Sequence, residues 1–216
     1  GNTLRRILLS SIQGYAVTAV KVTTFKDDGS PHIIASEYEP IPEVVEDTPD
    51  LINNLKQVQV RLAGEVEEKT VVLEAKGGRT IHARDLAVDS DIIVLNGDLP
   101  IATLMEKANL EFEIQFNLGR GYVPAERSEK YIEVIGTIPI DAIFSPITKV
   151  KYSVENTRVG QRTDYDKLVL EVWTDGTITP DDALAEAAKI AKDHFTIFIN
   201  FDESEAGGDD DIDEDE

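Results

Sequence analysis

Between Leu110 and Leu118 apolar and polar residues alternate without a break: Leu110, Phe112, Ile114, Phe116 and Leu118 on one side, Glu111, Glu113, Gln115 and Asn117 on the other. In a strand successive side chains point to opposite faces, so this run specifies an antiparallel sheet with one face in a core and one toward water. An all-helical chain is thereby excluded, and so is a sheet buried on both faces. Other β-branched or alternating runs extend the sheet. They lie at residues 16–25, at Val58–Val60–Leu62, at Thr70–Val72, at 132–144, at 147–155 and at 167–173. Asp28-Gly29, Gly64–Lys69, Gly77-Gly78, Gly119-Arg120-Gly121 and Asp175-Gly176 supply turns between them. The Gly64–Lys69 turn is expected to join the strands at 58–62 and 70–72 into a hairpin.

Helical periodicity occurs toward the two ends and once in the middle. Leu4, Ile7, Leu8 and Ile12 recur at helical spacing over residues 3–12, with Asn2 expected at the N-cap. A helix this short is marginal alone and must pack on something. Residues 43–56 predict a second helix with Pro49 in its first turn after Thr48. Thr179-Pro180-Asp181-Asp182 is a strong start signal: a capping hydroxyl, a proline with φ preset for the first turn, and two acids that complement the helix dipole. The following stripe of Leu184, Ala187, Ala188, Ala191, Phe195 and Phe198 is longer than a small sheet needs to cover it. The stripe is expected either to pack on the chain's own sheet or to form an interface with a partner. The fold class is therefore α+β.

Charge and composition narrow the function. The 216-residue chain has 42 acids against 21 Lys and Arg, a formal charge of −21. Ten acids and no base fall in residues 202–216, leaving a body that is still acidic at −11. An autonomous phosphate-binding surface is disfavoured by that balance. The tail has too little apolar content to offset the entropy of ordering and is expected to be a disordered linker. It lacks the glycine and flanking helices of an EF-hand loop. With no cysteine, disulfides, Cys-ligated metals and thiol nucleophiles are excluded. The apolar run after Arg5-Arg6 is too short for a membrane span of ~20 residues and no small-residue cleavage site follows it.

No catalytic constellation emerges. His32, His82 and His194 stand apart from one another, with no partner at metal-ligand spacing. Asp164-Tyr165-Asp166 places two acids on one side of a strand, a common arrangement without chemistry of its own. Gly119-Arg120-Gly121-Tyr122 runs into Val123-Pro124 and not into a helix N-terminus, so it is a structural turn and no phosphate cradle. Ser10-Ser11 lack a nucleophile elbow. No catalytic residue, metal ligand or cofactor-binding residue is assigned.

Four segments in order carry a family resemblance: GNTLRRILLSS at 1–11, GRGYVPAE at 119–126, KVKYSVENTRVGQRTDYDKL at 149–168 and TDGTITPDDALAEAAKI at 174–190. Together they make the chain similar to the N-terminal assembly domain of bacterial RNA polymerase α subunits over nearly all of residues 1–200. The resemblance implies a discontinuous dimerisation domain, residues 1–13 plus 147–201, with a mainly β domain inserted at 14–146. It implies a homodimer that binds the β and β′ subunits and supports DNA-templated transcription as a non-catalytic subunit of a nucleotidyltransferase. It needs no cofactor and makes no direct nucleic-acid contact through this segment. Arg5 and Arg6, Arg6 above all, correspond to the family's contact with β, and Arg158 to its contact with β′. Leu4, Ile7, Leu8, Leu184, Ala188 and Phe195 are the expected dimer interface. Family members carry a strand ahead of Gly1 and a DNA-binding C-terminal domain that are not in this sequence, and the acidic tail resembles the start of the linker to the latter. The implied location is cytoplasmic, or plastid for a chloroplast-encoded polymerase. The competing expectation is an acidic small-molecule-binding or enzymatic domain unrelated to transcription, which requires a pocket where His82 and acids converge.

Overall fold

A computed structural model describes residues 1–26, 28–64, 66–128, 136–159 and 162–198. The acidic tail at 202–216 and the start of the strand expected at 132–144 lie outside the described residues.

The alternating run is the strand β8 (Asn109–Arg120), and it organises the largest sheet. It pairs antiparallel with β1 (Gln13–Phe25) on one edge and β4 (Glu68–Lys76) on the other. The free edge of β1 takes β2 (Pro31–Ile33) and β10 (Thr137–Pro139), giving the order β10–β1–β8–β4 with β2 alongside β10. Leu110, Phe112, Ile114 and Phe116 are at most 2% exposed. The opposite face of β8 is half-buried and polar: Glu113 pairs with Lys21 across the sheet, and Gln115 donates to Glu68 over 2.8 Å. The buried face is covered by α2 (Thr48–Lys56) through Leu51, Ile52 and Leu55. Small ribbons complete the cover: β3 (Val60–Leu62) with β6 (Ile92–Val94), and β5 (Thr80–His82) with β7 (Pro100–Thr103).

Three sequence expectations are corrected here. The strands at 58–62 and 70–72 form no hairpin, because β3 pairs with β6 and β4 with β8. Alternation alone does not say which strand is the partner. The middle helix begins at Thr48 and not at residue 43. Residues 43–46 are instead tied to β7: Val44 bridges Leu104, and the Glu46 carboxylate accepts the Thr103 N–H at 2.6 Å and its hydroxyl at 2.8 Å. The first helix, α1 (Asn2–Ser11), has Gly1 and not Asn2 at its N-cap, with Arg5 N–H closing the first turn on Gly1 O at 3.0 Å.

The ends of the chain build a second, smaller core. A long hairpin of β12 (Ile147–Val159) and β13 (Arg162–Thr174) pairs Val150 with Val172, Tyr152 with Leu170 and Val154 with Leu168 on one face. On that face lie α1 and the last helix, α4 (Pro180–Thr196). Leu8, Ile12, Ile147, Val150, Ala183 and Ala187 are its buried residues. The start signal of α4 works as read, since the Thr179 hydroxyl accepts the Asp182 N–H at 3.2 Å. The other face of the hairpin is a charged ladder, with Lys151 on Glu171 at 2.8 Å, Lys167 near Glu155 at 3.7 Å, and Lys149 over the Trp173 ring at 4.7 Å. A third, small cluster gathers Ala16, Ala142 and Phe144. Two short strands, β9 (Tyr122–Val123) and β11 (Ala142–Ile143), pair beside it, followed in β9's case by the single turn α3 (Ala125–Ser128).

Candidate interaction surfaces

The faces of α1 divide cleanly. Leu8 points inward and is fully buried among Ile12, Ile147, Val150, Ala183 and Ala187. Leu4 and Ile7 are half-buried at the rim of that core. Arg5 and Arg6 are exposed, and neither makes an ion pair among the described residues. Arg6 borders a shallow depression of about 250 Å³ with Asn2, Thr3, Ile7 and Ser10, where the Ser10 hydroxyl donates to Arg6 O at 2.8 Å. A guanidinium held on a short packed helix, uncommitted within its own chain, can make a bidentate contact to a carboxylate or carbonyl and tolerates partial desolvation.

The apolar stripe on α4 also splits, where the sequence shows one band. Ala183 and Ala187 are buried against the chain's own core, and Leu184, Ile190 and Ala191 are half-buried. Ala188 is exposed, Phe195 is 61% exposed and Phe198, just past the helix, 82%. Two adjacent faces are apolar, and among the described residues only one of them packs on the chain's own core. Tyr152, Val154 and Leu168 continue the same exposure along the hairpin. Gly1 backs onto Tyr152 and Leu168. Arg158 is exposed toward the far end of β12.

The titratable groups behave as structural elements. His82 closes a 3-10 turn (Ala83–Leu86) in a reciprocal cap with Asp85. His32 contacts Glu39 at 2.7 Å, and the Glu39 carboxyl is held below its ordinary range by the Ala35 N–H first and His32 second. A cavity of about 600 Å³ at the far end of β1 is lined by Lys26, Asp28, His32, Glu43 and Lys107, and His82 is not part of it. Among the described residues no three His, Asp or Glu side chains converge as a metal site. Among them, too, no helix is long and apolar enough to cross a membrane.

The described residues thus form an antiparallel sheet domain and a helix-capped hairpin that leaves apolar side chains and Arg5 and Arg6 exposed. Residues 20–145 match the family described as the RNA polymerase Rpb3/RpoA insert domain. The chain belongs to that family, among the α subunits of DNA-directed RNA polymerase. It is 50% identical, over its whole length, to "DNA-directed RNA polymerase subunit alpha" of Treponema pallidum, covering 62% of that protein. It is 53% identical over 94% of its length to the subunit of the same name from Leptospira biflexa, and 47% over 94% to that of Borreliella afzelii, covering 60% of each. The chain thus spans about 60% of the length of these relatives.

Sequence reasoning missed the cluster around Phe144. Gly14 and Gly119, two glycines inside otherwise good strand patterns, were the available signal, since such glycines mark close approach of other backbone or side chains.

Proposed function

We propose that this chain is an assembly scaffold of DNA-directed RNA polymerase, which pairs with a second copy and presents surfaces to the β and β′ subunits without holding the active site. The observation that carries the proposal is the apolar face of α4 that its own core leaves uncovered, on a chain whose relatives are polymerase α subunits. In this reading residues 1–13 plus 147–201 form the dimerisation domain and 14–146 the insert. Leu184, Ala188 and Phe195, with Leu4 and Ile7 at the rim, meet the same face of the second copy, while Leu8 supports that face from beneath. Burying them stabilises the pair by roughly 25 cal/mol per Å² of apolar surface, less the cost of association. Arg5 and Arg6 take the contact with β, and Arg158 that with β′. The cell compartment is that of the transcribed DNA.

Ala188→Arg places a cation in the centre of the apolar face and is expected to give monomers at micromolar concentration by analytical ultracentrifugation, with an unchanged circular dichroism spectrum. A persistent dimer sinks this placement of the interface. Arg6→Ala is expected to leave the dimer intact and to reduce recovery of β on co-expression and pull-down. Normal amounts of β with the variant refute the role of Arg6.

A further inference from the structure

Phe144 packs on the end of the insert's sheet, three residues before the hairpin begins. It is 6% exposed, and its cluster of Ala16 and Ala142, with Val123 against it, is separate from both the 28-residue core of the insert and the six-residue core of the hairpin. Gly14 and Gly119 face each other directly across β1 and β8. A methyl on Gly119 would sit 2.6 Å from two ring carbons of Phe144, and one on Gly14 would sit 2.1 Å from Phe144 O. The ring and backbone of Phe144 therefore fill the space that side chains at both positions would claim. The Phe144 N–H donates to Gly121 O at 2.8 Å, which fixes the residue along the strand direction as well. Three residues later the chain is β12, and in between the Ser145 hydroxyl reaches Leu9 O on α1 at 3.3 Å. The chain crosses between the two bodies here and again at Ile12–Gln13, where α1 and β1 adjoin.

We propose that Phe144, wedged onto the Gly14–Gly119 pair, is the positioning residue that sets the angle between the helix-capped hairpin and the inserted β body. The inference rests on the assembly reading for its consequence: surfaces on the two bodies then meet a large partner subunit in one preset relation, and the cost of ordering them is met on folding and not on binding. Close-packed joints respond to a misfit by shifting discretely, because an interior has no slack to absorb a carbon atom.

The absence of cysteine makes the angle measurable, since Asn53→Cys on α2 and Ala185→Cys on α4, both at exposed positions, would carry the only spin labels. The full chain with these labels is compared with its Gly119→Ala, Phe144→Ala and Gly119→Ala/Phe144→Leu versions by electron–electron distance measurement. Gly119→Ala is expected to displace the distance distribution and Phe144→Ala to broaden it. The double variant, which trades ring for methyl, is expected to return the distribution to that of the parent. In parallel, capture of co-expressed β, compared at equal folded fraction as read by denaturant titration, is expected to fall about tenfold for Gly119→Ala and to recover in the double variant. An unchanged distribution in a folded Gly119→Ala overturns the proposal. If that variant does not fold, an unbroadened Phe144→Ala overturns it equally. Displaced distances with unimpaired capture overturn the consequence drawn for assembly, because the angle would then have no part in it. If the parent itself neither dimerises nor captures β while the distances respond as expected, the assembly reading fails and the elbow stands.

Discussion

The insert and the helix-capped hairpin answer the problem of burial in opposite ways. The insert closes on itself: 28 buried residues, two of them fully covered phenylalanines on β8, gather under one sheet face with α2 and the small ribbons as a lid. Among its described residues the hairpin module buries six, two of which are alanines, and leaves Val154 56%, Leu168 41% and Phe195 61% exposed. A small core cannot offset much conformational entropy, and contiguous exposed apolar surface on a soluble chain marks a contact. The difference teaches that the hairpin module leaves apolar surface which, under the proposed assembly, partners would cover, while the insert closes its own core.

The comparison is most exposed to Phe116→Ala. Phe116 is fully buried at the centre of the insert, and truncating such a ring typically costs about 3–5 kcal/mol through lost burial and the cavity left behind. Denaturant titration at fixed protein concentration is expected to show that loss, independent of concentration. A loss below about 1 kcal/mol would mean that the insert core is loose, and the contrast with the hairpin would fail.

Leu8→Ala tests the other half. Leu8 is the largest fully buried side chain under α1 besides Ile12, and its loss is expected to cost about 2–3 kcal/mol, the lower part of the usual range because a rim of half-buried residues can collapse toward it. The effect should be local. Amide exchange is expected to speed up in α1 and α4 while β1 and β8 keep their protection, and raising the protein concentration should restore part of the stability by mass action. Uniform loss of protection across both bodies would show that the two cores unfold as one.

Much of this contrast was legible in the sequence, and the missing parts share a cause. The run at 110–118 announced β8 because a strand with one buried face must alternate, and Thr179-Pro180-Asp181-Asp182 announced α4 because helix starts are chemically local. Strand partnership was not legible. Val58–Leu62 and Thr70–Val72 alternate equally well whether they pair with each other or, as they do, with β6 and β8. The band on α4 was legible as apolar, but Ala187 and Ala188 differ by one position and fall on opposite sides of the boundary between covered and uncovered. Only the neighbours of the helix decide that boundary. Arg5 and Arg6 stand off the apolar positions of α1 in the sequence and are exposed in the structure. Phe144 read as one more strand residue, since its counterpart Gly119 lies across the sheet and a glycine states a vacancy without naming what fills it.

The smallest expected effect concerns what fastens the joint. Asp141 precedes the Ala142–Phe144 cluster, accepts the Ala125 N–H at 2.9 Å and meets the Lys56 ammonium at 3.1 Å. The Ala125 N–H first, then Lys56 and the Tyr122 hydroxyl, hold its carboxyl below the ordinary aspartate range. A carboxyl whose folded pKa is depressed adds stability that is present above the unfolded value of about 3.9 and is lost as pH falls through the folded one. Its side chain is 36% exposed, so solvent screens the pair and the contribution at neutral pH should stay under about 1 kcal/mol. Asp141→Asn keeps an acceptor for Ala125 and removes the charge. The parent is expected to be the more stable of the two at pH 7 and the gap to close as pH falls below about 4, with salt narrowing it at neutral pH. A gap that ignores pH would assign the fastening of the joint to the hydrogen bond and the packing of Phe144 alone, and would remove electrostatics from the contrast between the two bodies.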